Sequence, residues 1–436
     1  MRRTHIPGPM PRALRAFTTF AFAIGVALIA TPSAAQSLFG CSGLEAAAVP
    51  SIEGENGVFY QIDPDLMTSH RMSDEIVQQI AELSDAFEER GTRFVFVPLP
   101  TKALALPSTL GPEAVKFAYD SDLAATLYRD QVRRLSAARV AVVDAHVALS
   151  AGPRAIPSFF KTDPRLTNAG LNRLVDAVAE TVGDWPTEFG PGYTTTQIGS
   201  TEVVSRTHMV LQLSCLSQLP EVAPDTYQTV AKRADDEMDK APRIVFAGTE
   251  HTTSDDLNLD GFLQAASGEK ATVLNGGEDA LAALTAAVTS DAFRAEPPKV
   301  LIWAVPIWTN LALGGDQPMR EALAAVEDRC VDDLDFEIMA PGRLRVAIGD
   351  AQFGPKDTLY LDNSAMGAKY ASFRFVSPDG HSRTRVVNRS AADVTTGRFY
   401  MPFSALWTDG VSHVDIETPF SADAEPIIAL CRGRAE

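Results

Sequence analysis

At 436 residues the chain is longer than one ordinary hydrophobic core serves, so two domains are expected, and 45% hydrophobic with 22% charged residues is the texture of a soluble globular protein. A formal charge of −18 argues against nucleic acid as a partner. It does not exclude a polyanionic sugar, because such binding depends on local patches rather than on the sum.

The N-terminus reads as a secretory leader. Arg2, Arg3, Arg12 and Arg15 precede the apolar run Ala16–Ala30, which is short for a bilayer span, and Ser33-Ala34-Ala35 offers a small-residue cleavage site before Gln36. Residues 1–35 are therefore expected to be a signal peptide cleaved near Ala35. Loss of those four arginines takes the charge from −18 to −22, and the mature protein is expected in the periplasm. Four cysteines, Cys41, Cys215, Cys330 and Cys431, suit an oxidising compartment. Three pairings are possible; sequence order suggests Cys41–Cys215 and Cys330–Cys431, each closing one domain. None has CxxC or CxxH spacing, so neither a metal nor a redox role is expected, and no cofactor is implied.

In chain order, Gly57–Ile62 alternates as a short strand, and Ser73 heads a helix over Asp74–Arg90 whose Ile76, Ile80, Leu83 and Phe87 keep helical spacing. Phe94–Val97 reads as a buried strand, Leu123–Ala138 as a helix, Val140–Asp144 as a strand and Ala169–Val182 as a helix. The polar stretch Tyr193–Ser200 suggests an exposed loop. Ile244–Ala247 then breaks at Gly248 into a polar turn, and Leu257–Ala266 is helical, with Ser254 or Asp255 as its expected cap. Strand, glycine turn and helix is a geometry that can lift a nucleophile above a sheet edge, with helix N–H groups facing a developing oxyanion. Thr272–Leu274, Glu278–Val288 and Val300–Val305 continue the alternation, so a mainly parallel sheet covered on both faces is expected. After Cys330 the texture changes to short alternating strands, such as Arg343–Ile348, Thr358–Leu361, Tyr370–Val376 and His413–Glu417, between Gly, Pro, Asn and Asp turns. That is the pattern of a β-sandwich, over 330–436.

Several short segments together resemble the alginate O-acetyltransferases of the AlgX/AlgJ type. They are Gly57-Val58-Phe59 near Asp63–Met67, then Val97–Lys102, Lys161-Thr162-Asp163, Gly248-Thr249 with Asn258 and Gly261-Phe262-Leu263, and Pro298–Trp303. The resemblance implies an SGNH-hydrolase-like domain over 36–329 and a carbohydrate-binding β-sandwich after it, with two disulfides at the cysteine positions seen here. It also implies an Asp-x-His pair and a serine after Gly-Thr. This chain reads Asp163-Pro164-Arg165 and Gly248-Thr249-Glu250, so Arg165 and Glu250 replace the histidine and serine. Arginine stays protonated and cannot serve as a base, and a carboxylate is a far weaker acyl-transfer nucleophile than an activated serine. Because the two losses coincide, an Arg165–Glu250 salt bridge in the old site is expected. His251 and the neighbouring hydroxyls offer the alternative of rebuilt chemistry.

Downstream, Lys369, Arg374, Arg383, Arg385 and Trp407 are candidate carbohydrate-binding residues, cations and an aromatic suited to uronate rings. The resemblance thus implies a protein of exopolysaccharide O-acetylation or export. It would bind an acidic polymer or a periplasmic or membrane biosynthesis complex, its acyltransferase site degenerate. Two other readings stay open: an active acetyltransferase or esterase using Glu250, His251 or a nearby hydroxyl, and a non-catalytic envelope subunit.

Overall fold

The protein is described by a computed structural model over residues 37–70, 72–152, 156–185, 192–232, 242–313, 315, 317–348, 353–389, 395–407, 410–420 and 426–433. The expected signal peptide, residues 1–35, lies outside the described residues. Among those described, no helix is long and apolar enough to cross a membrane.

Ser51–Glu53 (β1) and Phe59–Gln61 (β2) form an antiparallel pair. Asp74–Glu89 (α1) starts at Ser73, whose hydroxyl accepts from the Ile76 N–H, and buries the expected stripe of Ile76, Ile80, Leu83 and Phe87. Arg93–Leu99 (β3), Lys102–Ala105 (α2), Ser121–Ala137 (α3), Ala145–Ser150 (α4) and Asn168–Val182 (α5) follow. Next come Tyr193–Ser200 (β4), Arg206–Gln212 (α6), Asp225–Ala231 (β5), Ile244–Gly248 (β6), Glu250–Thr253 (α7), Leu259–Ser267 (α8) and Ala271–Asn275 (β7). Ala280–Val288 (α9), Asp291–Ala295 (α10), Val300–Pro306 (β8) and Gln317–Glu327 (α11) complete this part.

The order β3-β8-β6-β7 makes a four-stranded sheet in which every pairing is parallel. β6 and β8 are buried at every position, as strands covered on two sides must be, and so read as unbroken apolar runs. Phe94, Phe96 and Trp303 face a layer containing α1, α9 and α11. Val95, Val97, Phe246 and Ile302 face α5 and α8.

Three expectations change. Val140–Asp144 contributes one parallel bridge, Val142 to Phe96, rather than a strand. The ladder stops because the Asp144 carboxylate accepts the Val147 N–H and turns the chain into α4. Tyr193–Ser200 is not a loop but β4, paired antiparallel with β5. Its threonines are polar yet β-branched, and they suit a ladder that lies on α8, where Thr195 Oγ1 donates to the Gly261 carbonyl at 2.9 Å. The cap of α8 is Asn258, not Ser254 or Asp255.

From Cys330 every pairing is antiparallel. The strands are Cys330–Asp333 (β9), Phe336–Ala340 (β10), Arg343–Ala347 (β11), Thr358–Asp362 (β12), Tyr370–Val376 (β13), Ser382–Asn388 (β14), Arg398–Pro402 (β15), His413–Glu417 (β16) and Ile427–Cys431 (β17). They build a five-stranded sheet, β10-β11-β16-β13-β14, and a four-stranded sheet, β15-β12-β17-β9. Leu344, Phe373, Phe375, Val414 and Ile416 pack against Leu359, Leu361, Phe399, Met401 and Leu430, giving the expected β-sandwich. The four-stranded sheet is buried on its back as well, where Tyr360, Tyr400 and Ala429 join the core beneath α1 and α11.

Charged groups stitch the same seam. The Arg398 guanidinium, 6% exposed, bonds Asp362 at 2.9 Å, Asp291 at 2.5 Å and the Thr289 carbonyl at 2.8 Å. Glu321 of α11 pairs with Arg389 and accepts the Tyr400 N–H at 3.2 Å. Cys41–Cys215 and Cys330–Cys431 are the disulfides, the pairing that sequence order suggests.

Candidate functional site

The site lies at the carboxyl edge of the parallel sheet, where ligands of such folds usually bind. β6 ends at Gly248, whose missing side chain lets α7 fold back: a Cβ there would stand 2.8 Å from Thr252 Oγ1 and 2.9 Å from the Phe246 ring. The Thr249 carbonyl accepts from the hydroxyls of Thr252 and Thr253, at 3.2 and 2.8 Å, and this locks the turn. Glu250 is thereby held at the exposed crest. Its N–H donates to the Gly277 carbonyl at 2.9 Å, so it is not free to meet an oxyanion.

Asp163 and Arg165 approach from the loop between the bridge partners Phe159 and Leu166. The loop is tied to the turn that carries Glu250 by the Leu166 N–H, which donates to the His251 carbonyl at 3.0 Å. From below, buried Lys102 donates to the carbonyls of Lys161, at 2.9 Å, and Asp163, at 3.3 Å. Burial pushes the Lys102 ammonium down to about 8, against the opposing pull of buried Asp65 and of Asp163. α6 braces the other side, with a hydrogen bond from Ser205 to Asp163 and one of 2.9 Å between Thr162 Oγ1 and His208 Nδ1.

The expected Arg165–Glu250 salt bridge does not form. Arg165 Nε and Nη2 bond the two oxygens of Asp163 at 2.9 and 3.2 Å, and Nη1 reaches Asp256 at 2.9 Å and Ser254 Oγ at 2.9 Å. Two carboxylates therefore engage all three guanidinium nitrogens, and Asp256, three residues before α8, takes the place expected of Glu250. Burial works against the Asp163 carboxylate, but the Arg165 hydrogen bonds and charge, with Ser205, hold it below the usual range. Burial raises the Glu250 carboxyl, the neighbouring Glu278 charge adds to that, and Arg165 opposes it.

His251 sits beside Glu250 with its Nδ1 3.3 Å from Thr249 Oγ1 and its ring at 76° to Trp308, centroids 5.2 Å apart. Burial lowers its pKa to about 4, so the ring is neutral at physiological pH. Asp256 and Trp308 belong to this constellation but carried no signal in the sequence, whereas Thr249 and Ser254 stood out there only as part of the Gly-Thr motif and as a candidate helix cap. Among the described residues no three His, Cys, Asp or Glu side chains converge as a metal centre would require.

The five candidate sugar-binding residues do not share one surface. Arg383 and Arg385 lie on one face of β14, as alternation requires, but it is the face of Phe375 and Phe373, their register partners. They fold over the open edge of the sandwich. Arg383 donates to the Ala405 carbonyl and covers the Trp407 ring at 5.2 Å, while Arg385 donates to the carbonyls of Pro402, at 2.6 Å, and Ser404. Arg374 is on the opposite, outer face, 3.7 Å from Asp415, which also binds Arg345 at 2.6 Å. Lys369 is exposed just before β13.

Comparison with known proteins bears on this arrangement. A family model described as the SGNH hydrolase-like domain of the acetyltransferase AlgX matches residues 52–307. The alginate biosynthesis protein AlgX of Pseudomonas putida is 26% identical over 299 residues, 64% of this chain and 60% of that protein. Its counterpart in Pseudomonas aeruginosa is 27% identical over 292 residues, with the same shares. The matched region thus spans about 60% of the length of these relatives. The solved structure of Pseudomonas aeruginosa AlgX superposes with a TM-score of 0.73 at 21% identity, covering 88% of this chain and 94% of that one, a likeness of fold. The O-acetyltransferase domain of Pseudomonas putida AlgJ gives 0.50 at 18% identity over 60% of this chain and 94% of that one. With more than half of its length matched by that family model, the chain belongs to the AlgX family of SGNH hydrolase-like acetyltransferase domains.

Proposed function

We propose that this protein serves exopolysaccharide biosynthesis and O-acetylation in the periplasm, binding polymer or partner proteins, with an acyltransferase site that has lost its chemistry. The relatives named for alginate biosynthesis support the pathway. The observation that carries the loss of chemistry is the Arg165 guanidinium, saturated by Asp163 and Asp256 where a base would have to accept a proton. The polymer implied is acidic and alginate-like. The sugar-contacting residues proposed are Lys369 and Arg374 on the outer sheet and, at the sandwich edge, Arg383, Arg385 and Trp407.

One contact favours a second reading. Thr249 Oγ1 and His251 Nδ1, 3.3 Å apart, have the pairing of a hydroxyl nucleophile with its base. Against it, Thr249 is 1% exposed, and an imidazole with a pKa near 4 is a feeble base. Incubation with an activated acetyl ester separates the two. The expected result is no turnover above buffer, in wild type and in Glu250→Ala alike. Turnover abolished by Glu250→Ala, Thr249→Val or His251→Ala would make the protein a working esterase or transferase.

A further inference from the structure

Five large aliphatic side chains stand in water around α6. Leu213 and Leu216 are 88% and 92% exposed, Val204 is 85% exposed, and Leu38 and Met209 keep more than half of their surface bare. Val204 precedes the helix cap, Ser205, at the position that usually packs against the fourth helical residue, here Met209, and Met209 stands one turn before Leu213. The Leu216 and Ser217 N–H groups both donate to the Phe39 carbonyl, at 3.1 and 3.0 Å, and the Cys41–Cys215 disulfide clamps the same two segments. Leu38 is thereby carried to the end of α6.

Charge avoids both segments. No Asp, Glu, Lys or Arg occurs between Arg206 and Glu221, or between Arg15 and Glu45, in a chain that is 22% charged. An ordinary solvated face would carry several. Exposed apolar patches mark contacts with proteins or with membranes, and here the composition favours lipid. Protein hot spots draw on Trp, Tyr and Arg, use Leu and Val sparingly, and need a matching pocket. This face is aliphatic, with Arg206 alone at its rim, and Phe39 is stacked on Phe59 with ring centroids 6.2 Å apart. Acyl chains, unlike a protein partner, yield to any protruding shape. Chain order agrees: Leu38 lies three residues after the expected cleavage site at Ala35, so this face stands where the chain would leave the membrane during export.

We propose that this aliphatic face docks the protein on a phospholipid bilayer, with Leu213 and Leu216 inserted among the acyl chains. The attraction is apolar, because the net negative charge of the chain opposes anionic headgroups rather than drawing on them. Ser205 and His208 of the same helix segment hold Asp163 and Thr162, so the docking face and the candidate site share α6 as their support. The proposal stands apart from the polysaccharide reading above and does not depend on it.

Flotation of residues 36–436 with phosphatidylcholine vesicles tests the assignment. The chain is expected to rise with the lipid, to rise no better when phosphatidylglycerol is added, and to stay bound at high salt, where a charge-driven contact lets go. Leu213→Glu and Leu216→Glu are each expected to weaken partitioning by about tenfold and the double variant to abolish it, while Val386→Glu, at an exposed valine of the sandwich, changes nothing. Both leucines already lie almost wholly in water, so the new charges are not buried, and melting curves verify that the variants fold. Absence from the lipid fraction, partitioning that the double variant leaves intact, or binding that needs phosphatidylglycerol and is released by salt each overturns the proposal. So does light scattering that shows a dimer lost in Leu213→Glu while vesicles bind nothing, which makes the face a protein interface instead.

Discussion

Arg165 governs the candidate site at the scale of single residues. A histidine in its place could lose and regain a proton, whereas a guanidinium with two carboxylates around it is a permanent staple between the 163–165 loop and the 254–256 turn. Asp163 is only 5% exposed at its side chain, so removing its counter-charge strands a buried carboxylate. Arg165→Ala should therefore lower the unfolding free energy by about 3 kcal/mol in urea titrations. Arg165→Lys should recover less than half, because an ammonium lacks the planar fork that takes both Asp163 oxygens while a third nitrogen reaches Asp256. The positions of Asp163, Arg165 and Glu250 were legible, since each lies a fixed step from a short motif. Their partners were not. Ser254 and Asp256 stand about ninety residues from Arg165 along the chain, and no local spacing connects them. Paired substitutions suggest an Arg165–Glu250 bridge, but they show which residues changed and not which acceptor the fold brings to the guanidinium.

Among the elements, periodicity located those with one simple environment. α1, α5, β6 and β8 lie where their apolar spacing puts them, because each meets the core with one stripe or on both faces. β4 reads as a loop and β5 gives no strand pattern because a mostly exposed, threonine-rich ladder carries no hydrophobic alternation. What holds this two-stranded ladder is its seat on α8, and Gly261 is the residue that admits it. A Cβ on Gly261 would fall 2.2 Å from Thr229 Oγ1 and 2.5 Å from the Asn258 amide. Gly261→Ala should cost about 1–3 kcal/mol in denaturant unfolding by lifting the ladder, despite the better helix propensity of alanine. If instead the variant proves more stable, the ladder is not seated there. The sandwich edge teaches a related point. Alternation correctly placed Arg383 and Arg385 on one face of β14, yet only the partner strand shows that this face turns toward Phe373 and Phe375. On an edge strand, a long cation can belong to the core side and still reach solvent.

Over the whole molecule, the sandwich and the α/β layers share one core and one polar seam. Asp362 is the hub of that seam, bonded by Arg398, Tyr360 and the Ser364 N–H. Burial alone would raise its pKa; the hydrogen bonds from Ser364, Tyr360 and Arg398 outweigh it and hold the carboxyl at about 2. A carboxylate depressed from about 3.9 in the unfolded chain contributes stability that is complete above pH 4 and is lost as pH falls toward 2. In melting experiments, Asp362→Asn should be less stable than wild type at pH 6, and the gap should close progressively between pH 4 and pH 2. A gap that stays constant over that range would show that the seam does not depend on the ionised form.

The sequence by itself determined the class of fold and the change of texture at Cys330, and its motifs marked Asp163, Arg165 and Glu250 as a candidate site. Those properties are written in local patterns, namely periods of 3.6 and 2, glycine turns, and short motifs at fixed steps. Only the tertiary structure decided which cysteines pair, which carboxylates take Arg165, that the Glu250 N–H is already used, and that the proposed sugar-binding arginines divide between two surfaces. Each of these depends on groups far apart in the chain meeting at hydrogen-bonding distance, where an ångström decides the partner and no periodicity records it.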